Sequence, residues 1–119
     1  MDVQVFGHPK SRTTRKAQRF FSERRVRVHF VDLRGRGIAP AELRRFVQRF
    51  DVDDLVDPTS RSYQRQGLAY LSASADDWIE RIVADPSLLR LPLVRRGRDL
   101  VVGDDPPAWE RLARAAKDG

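Results

Sequence analysis

The stretch VQVFGHPKSRTTRKAQRFFSERRVRVHFV, residues 3–31, changes its hydrophobic period twice. Val3-Gln4-Val5-Phe6 reads as a short apolar strand, ended by Gly7, His8 and Pro9. From about Thr13 to Arg24 the apolar positions Ala17, Phe20 and Phe21 recur at i, i+3 and i+4, one face of a helix, and Ser11 stands where an N-cap hydroxyl belongs. Val26, Val28 and Phe30 then alternate with Arg27, His29 and Val31, a second strand with one apolar face. Strand, helix and strand within about 30 residues predict a βαβ unit with parallel strands and a right-handed crossover.

Outward from this unit the pattern continues. Pro40 opens a helix whose Leu43, Phe46, Val47 and Phe50 fall at i, i+3, i+4 and i+7. Asp51 to Gln66 is polar and reads as irregular. Ser74 with Asp77 has the spacing of a capping box, ahead of Trp78, Ile79, Ile82 and Val83, and Asp85-Pro86 ends that helix. Leu91 to Val94 and Leu100 to Val102 read as strands joined by a turn over Arg95 to Asp99. Asp104 or Asp105, ahead of Pro106-Pro107, opens a last helix with Trp109, Leu112, Ala113 and Ala116 inward. The aromatic residues Phe20, Phe21, Phe46, Phe50, Trp78 and Trp109 belong to these apolar faces and are expected in the core. The expected architecture is α/β, with a small mixed sheet and helices on both faces.

Composition narrows the chemistry. The chain has 119 residues, 23 basic and 17 acidic, a net charge of +6, and no cysteine. One domain, residues 1–119, is expected at this length. Without cysteine there is no disulfide, thiolate nucleophile, thiolate zinc site or dithiol chemistry. His8 and His29 are too few for a histidine metal site, and Asp51, Asp53, Asp54 and Asp57 lack the glycine and terminal glutamate of a calcium loop. No metal and no cofactor is expected. No apolar run approaches the roughly 20 residues of a membrane helix, and the N-terminus does not read as a signal peptide, so no membrane association and a cytoplasmic location are expected. All but Lys10, Lys16 and Lys117 of the basic residues are arginine, spread over nearly every segment as a solvated surface. No helix-turn-helix or RNA-binding signature accompanies them, so no specific nucleic acid is expected.

A βαβ half followed by a ββα half, with a proline opening the third strand, resembles the thioredoxin-like fold, here with a helical insertion at about residues 38–86. The segment from Phe6 to Ala17 resembles the first loop of the ArsC/Spx family of glutaredoxin-coupled arsenate reductases and Spx-type regulators, which reads aromatic-x-x-Pro-x-Cys-x-x-(Cys or Ser)-Arg-Lys-Ala. The similarity runs on through Tyr63 to Leu68 and Asp85 to Val94 and ends at Leu100 to Gly103. It implies that the active cysteine's place is held by Ser11 and that of the second cysteine of Spx-like members by Thr14. Of the arginines that hold arsenate in the reductases, one precedes the third-strand proline, where Leu91 stands with Arg90 displaced by one. The others fall on Asp57 and on Val101 or Val102. Arsenate reduction should therefore be lost.

The residues that remain still suit an anion. Lys10, Arg12 and Arg15 supply charge, Ser11, Thr13 and Thr14 supply hydroxyls, and a helix begins behind them, so weak binding of a small oxyanion is expected. Pro92 resembles the cis-proline that faces the active loop, and with His8 it would shape the groove beside Ser11. The reading is a family member without its redox cysteine, a non-catalytic regulator or adaptor for a protein partner, with RNA polymerase implied by the Spx resemblance. The alternative is an arsenate reductase-like or glutathione-linked oxidoreductase in which Ser11 replaces the cysteine.

Overall fold

The computed structural model describes residues 2–35 and 37–118. Two compact units divide the chain, residues 1–36 with 91–119, and residues 37–90.

The first unit is built on a four-stranded sheet. Strands β1 (Asp2–Gly7), β2 (Arg27–Asp32), β3 (Leu93–Arg96) and β4 (Asp99–Val102) lie in the order β2-β1-β3-β4. β1 pairs with β2 in parallel and with β3 antiparallel, and β3 pairs with β4 antiparallel. Helices α1 (Arg12–Glu23) and α6 (Pro106–Asp118) complete the unit. With the helices of residues 37–90 inserted between its halves, this is the thioredoxin-like α/β fold.

One core holds the sheet and both helices together. It joins Val3 and Val5 of β1, Ala17 and Phe21 of α1, Val94 and Val101 of the hairpin, and Trp109, Leu112 and Ala113 of α6. The apolar period of residues 17–21 thus does what it predicts: Ala17 and Phe21 are fully buried. Phe20 is only half-buried. Its ring meets Trp109 edge-on at 5.5 Å, and the Arg24 guanidinium lies 3.5 Å above it, so a cation takes the place of further core.

The hairpin differs from the sequence reading. Pro92 has no N–H for a ladder, and the strand begins at Leu93. Arg96 faces Asp99, leaving a two-residue turn of Gly97 and Arg98 in place of a five-residue one. Gly97 has φ +58°, the left-handed backbone that such a turn demands of its first residue. Asp105, not Asp104, caps α6: its Oδ1 accepts from the Ala108 amide at 3.2 Å.

In residues 37–90, helices α2 (Pro40–Arg49) and α5 (Ala75–Ala84) bury Leu43 and Phe46, and Trp78, Ile79 and Ile82. Phe50, expected in the core, is half-buried at the C-terminal end of α2. The Ser74–Asp77 capping box forms with both its hydrogen bonds. Residues 51–66, read as irregular, hold two short helices, α3 (Val52–Leu55) and α4 (Arg61–Arg65). Neither is long enough to be stable alone. α4 is started by Ser60, whose side chain accepts from the Tyr63 amide, and α3 is anchored by buried Leu55, whose carbonyl accepts from the Arg90 amide at 2.7 Å. Asp85 stops α5 and accepts from the hydroxyls of Ser62 and Ser87. Its burial raises the carboxyl pKa, but these hydrogen bonds, the Ser87 amide and the charge of Arg65 outweigh that and hold it below the usual range.

Candidate functional site

The loop from Gly7 to Ser11 delivers the chain from the end of β1 into the first turn of α1. The Ser11 amide donates to the His8 carbonyl at 2.9 Å, which closes the turn, and Ser11 is the N-cap. Its Oγ accepts from the Thr14 amide at 3.2 Å. It also lies 3.2 Å from Thr13 Oγ1, and Thr13 Oγ1 donates its one hydrogen to the Leu91 carbonyl at 2.7 Å. The Ser11 hydroxyl must therefore be the donor to Thr13. Ser11 is thus held as both acceptor and donor in the cap.

Among the described residues no base hydrogen-bonds to Ser11. His8 Nδ1 accepts from the Lys10 amide at 3.0 Å and is used within the turn. Activation of a hydroxyl needs a base within hydrogen-bonding reach and oriented for it. Among the described residues the hydroxyl's partners are Thr13 and Thr14 alone.

Thr14 is fully buried, and its Oγ1 has no hydrogen-bond partner among the described residues. It packs on Gly7. A β-carbon at Gly7 would lie 2.4 Å from Thr14 Oγ1 and 2.5 Å from its Cγ2. The end of β1 and the first turn of α1 touch through a residue with no side chain, which is what lets the helix start so close to the sheet.

Leu91-Pro92 lies against this first turn through the Thr13 hydroxyl. The Leu91–Pro92 bond is cis, Pro92 is buried, and its carbonyl accepts from the Gly103 amide at 2.8 Å. Asp32, at the end of β2 and paired in register with Gly7, holds Arg34 at 2.9 Å. The Arg34 hydrogen bonds pull the Asp32 carboxyl below its ordinary range and push the guanidinium up.

The residues read as an anion site are thus divided in use. Lys10, Arg12 and Arg15 are exposed. Ser11 and Thr13 are half-buried with their hydroxyls engaged, and Thr14 is turned inward against Gly7. Three cations thus remain exposed beside the first turn of α1, whose Thr14 amide is taken by the Ser11 cap. Of the positions that carry arginine in the reductases, Leu91 and Val102 are half-buried and Val101 is buried. The Arg90 guanidinium donates to the Val56 carbonyl at 3.1 Å, and Asp57 accepts from Thr59. The sequence offered no signal for the Thr13–Leu91 tie, because its partners stand 78 residues apart.

Elsewhere, within residues 37–90, an open depression of about 530 Å³ lies on α2 and α5, lined by Pro40, Ile79 and Val83, with Arg44 and Asp76 paired at 3.0 Å beside it. Tyr70 is 95% exposed. Among the described residues no group of three histidine or acidic side chains is placed to hold a metal, and no helix is long and apolar enough to cross a membrane.

Comparison with known proteins bears on this geometry. The sequence model of the ArsC family matches residues 6–112. No curated protein matches the chain. Among solved structures, an arsenate reductase from Vibrio cholerae is 17% identical with a TM-score of 0.84, covering 94% of this chain and 98% of the other. An ArsC family related protein from Bacteroides fragilis is 20% identical with a TM-score of 0.85, covering 94% and 98%. An arsenate reductase (ArsC) related protein from Brucella melitensis is 22% identical with a TM-score of 0.71, covering 93% of each chain. At these identities the structures agree on the fold alone.

Proposed function

The chain belongs to the ArsC family, and from that premise we propose that it is a non-catalytic regulator or adaptor that binds a protein partner. One observation carries the reading. Where the family places its reactive sulfur, this chain has the Ser11 hydroxyl, committed to Thr13 and Thr14 and with no base bonded to it among the described residues. A hydroxyl has too high a pKa for a helix N-terminus and nearby cations to ionise it, whereas a thiol in that setting becomes a nucleophile at neutral pH. With no cysteine anywhere in the chain, no disulfide can form to accept or pass electrons. A partner is supported by the 95% exposure of Tyr70, since large aromatic side chains left in water are characteristic anchors of protein interfaces. RNA polymerase, the partner of Spx-type members, is the first to test.

The reductase alternative predicts arsenate-dependent turnover, and the proposal predicts none. With glutaredoxin, glutathione and arsenate supplied, NADPH oxidation should stay at the blank rate for the natural chain and for Ser11→Cys, because the arginines of the oxyanion clamp are missing too. Turnover by the natural chain would overturn the proposal. In the same variant the new thiol should titrate below the usual value of about 8.5, since it gains the helix N-terminus and the charges of Lys10, Arg12 and Arg15. A thiol at the ordinary value would mean that the loop has lost its electrostatics along with its sulfur.

The loop also retains enough positive charge to hold a small oxyanion weakly, through Lys10, Arg12, Arg15 and the amides of the first turn of α1 that the Ser11 cap leaves open. Calorimetric titration with phosphate in low salt should give millimolar affinity. An absence of heat under those conditions would remove the anion role and leave Ser11 to Arg15 as a capped helix start.

A further inference from the structure

Charge is divided unevenly along the chain. Residues 1–36 and 91–119 hold 16 basic and 8 acidic side chains, whereas residues 37–90 hold 7 and 9. Part of the surplus lies on one face of the first unit. On α1, Thr14, Ala17 and Phe21 point to the core, while Lys16, Phe20 and Arg24 meet Asp104, Trp109 and Glu110 on the α6 side. That leaves Arg12, Arg15 and Arg19 outward, all exposed, at i, i+3 and i+7. On α6, Ala108, Trp109, Leu112, Ala113 and Ala116 are buried, and Arg111, Arg114 and Lys117 are exposed. Of the carboxylates nearby, Asp104 pairs with Lys16 and Glu110 with Arg24 and Arg114, while Glu23, four residues after Arg19, and Asp105 stay exposed on this side.

We propose that this α1/α6 face docks on the phosphate backbone of double-stranded DNA without reading its sequence. The α1 row from Arg12 to Arg19 spans about 10 Å at 1.5 Å per residue, and a duplex carries one charge per about 1.7 Å of axis, so the row meets several phosphates at once. Guanidinium groups suit phosphate because their planar forks donate two hydrogen bonds to one anion. An acidic protein surface is the weaker fit. Stable protein interfaces are centred on apolar or aromatic anchors, and the large exposed hydrophobic side chain among the described residues, Tyr70, belongs to the other unit. Single strands are bound by stacking bases on aromatic rings, and Phe20, Phe21 and Trp109 are turned into or against the core. The inference stands apart from the regulator reading and does not need it.

Fluorescence anisotropy with a labelled duplex of about 20 base pairs, between about 50 and 200 mM salt, tests it. The natural chain should bind, with affinity falling steeply as salt rises. R12Q/R15Q/R19Q should weaken binding by about tenfold or more and lower the slope of log affinity against log salt by about three, one per lost phosphate contact. The control R49Q/R61Q/R65Q removes the same charge from residues 37–90 and should change affinity by less than about twofold, since its arginines belong to neither α1 nor α6. Both triple variants should keep the natural circular dichroism spectrum, as glutamine is a good helix former. Equal losses from the two variants, or no binding at the lowest salt, would overturn the proposal. So would polyglutamate competing as well as duplex DNA, which would make this an acidic-protein surface, or tighter binding of a single strand or an RNA duplex.

Discussion

Gly7→Ala is expected to destabilise the protein by about 1–3 kcal/mol, the usual range for forcing an extra carbon into a packed site, and Thr14→Ala is expected to restore most of that loss. The new β-carbon would enter within 2.4 Å of Thr14 Oγ1 and 2.5 Å of Cγ2. Thr14 cannot turn away cheaply: it is fully buried, so either χ1 rotamer open to a helical threonine must still fit the packed core. Removing both offending atoms takes away the two contacts below 3.0 Å and leaves the Thr14 β-carbon at 3.0 Å. Thr14→Ala alone should cost little, because it deletes a buried hydroxyl that lacks a partner along with a methyl group that packs. Urea unfolding of the two single variants and the double variant closes the cycle. Additive losses would mean that Gly7 is required for some reason other than this contact.

Trp109→Ala should have the larger effect on stability, about 3–5 kcal/mol, as for other buried aromatic truncations. Trp109 is fully buried, meets Phe20 at 5.5 Å and Phe21 at 6.4 Å, and joins α6 to β1 and α1 in a single core. Its indole Nε1 has no hydrogen-bond partner among the described residues. The ring therefore acts by volume and contact. Trp109→Phe, which keeps a ring and removes the unpaired N–H, should lose less than half as much. Equal losses from the two variants would contradict this account of how the ring acts, and Trp109→Phe supplies a measurable transition if Trp109→Ala leaves no folded baseline.

Local rules made much of the fold readable. Ala17 and Phe21 at helical spacing, Ser11 as N-cap, and the Ser74–Asp77 box each needed only neighbours within one or two turns. Residues 51–66 were opaque for the complementary reason. Helices of four and five residues carry too little periodicity to be seen, and theirs are held by Leu55, the Ser60 cap and the bridge between Val56 and Leu89. The hairpin was misplaced because apolar Leu91 looks like strand, while the proline after it cannot enter the ladder and Gly97 permits the tighter turn. At the site, sequence located the loop but not its internal commitments. Which hydroxyl is capped, which crosses to Leu91 and which is buried against Gly7 depends on how a distant segment returns.

The position of β1 in the sheet has a consequence for synthesis. On one side it pairs with β2, reached through a single helix; on the other it pairs Val5 with Val94 and Phe6 with Leu93, about 90 residues further along, so that closure waits on a long intervening loop. During translation the N-terminal βαβ segment must keep an apolar strand edge open until the hairpin emerges, the condition in which nascent chains most readily pair with the wrong neighbour.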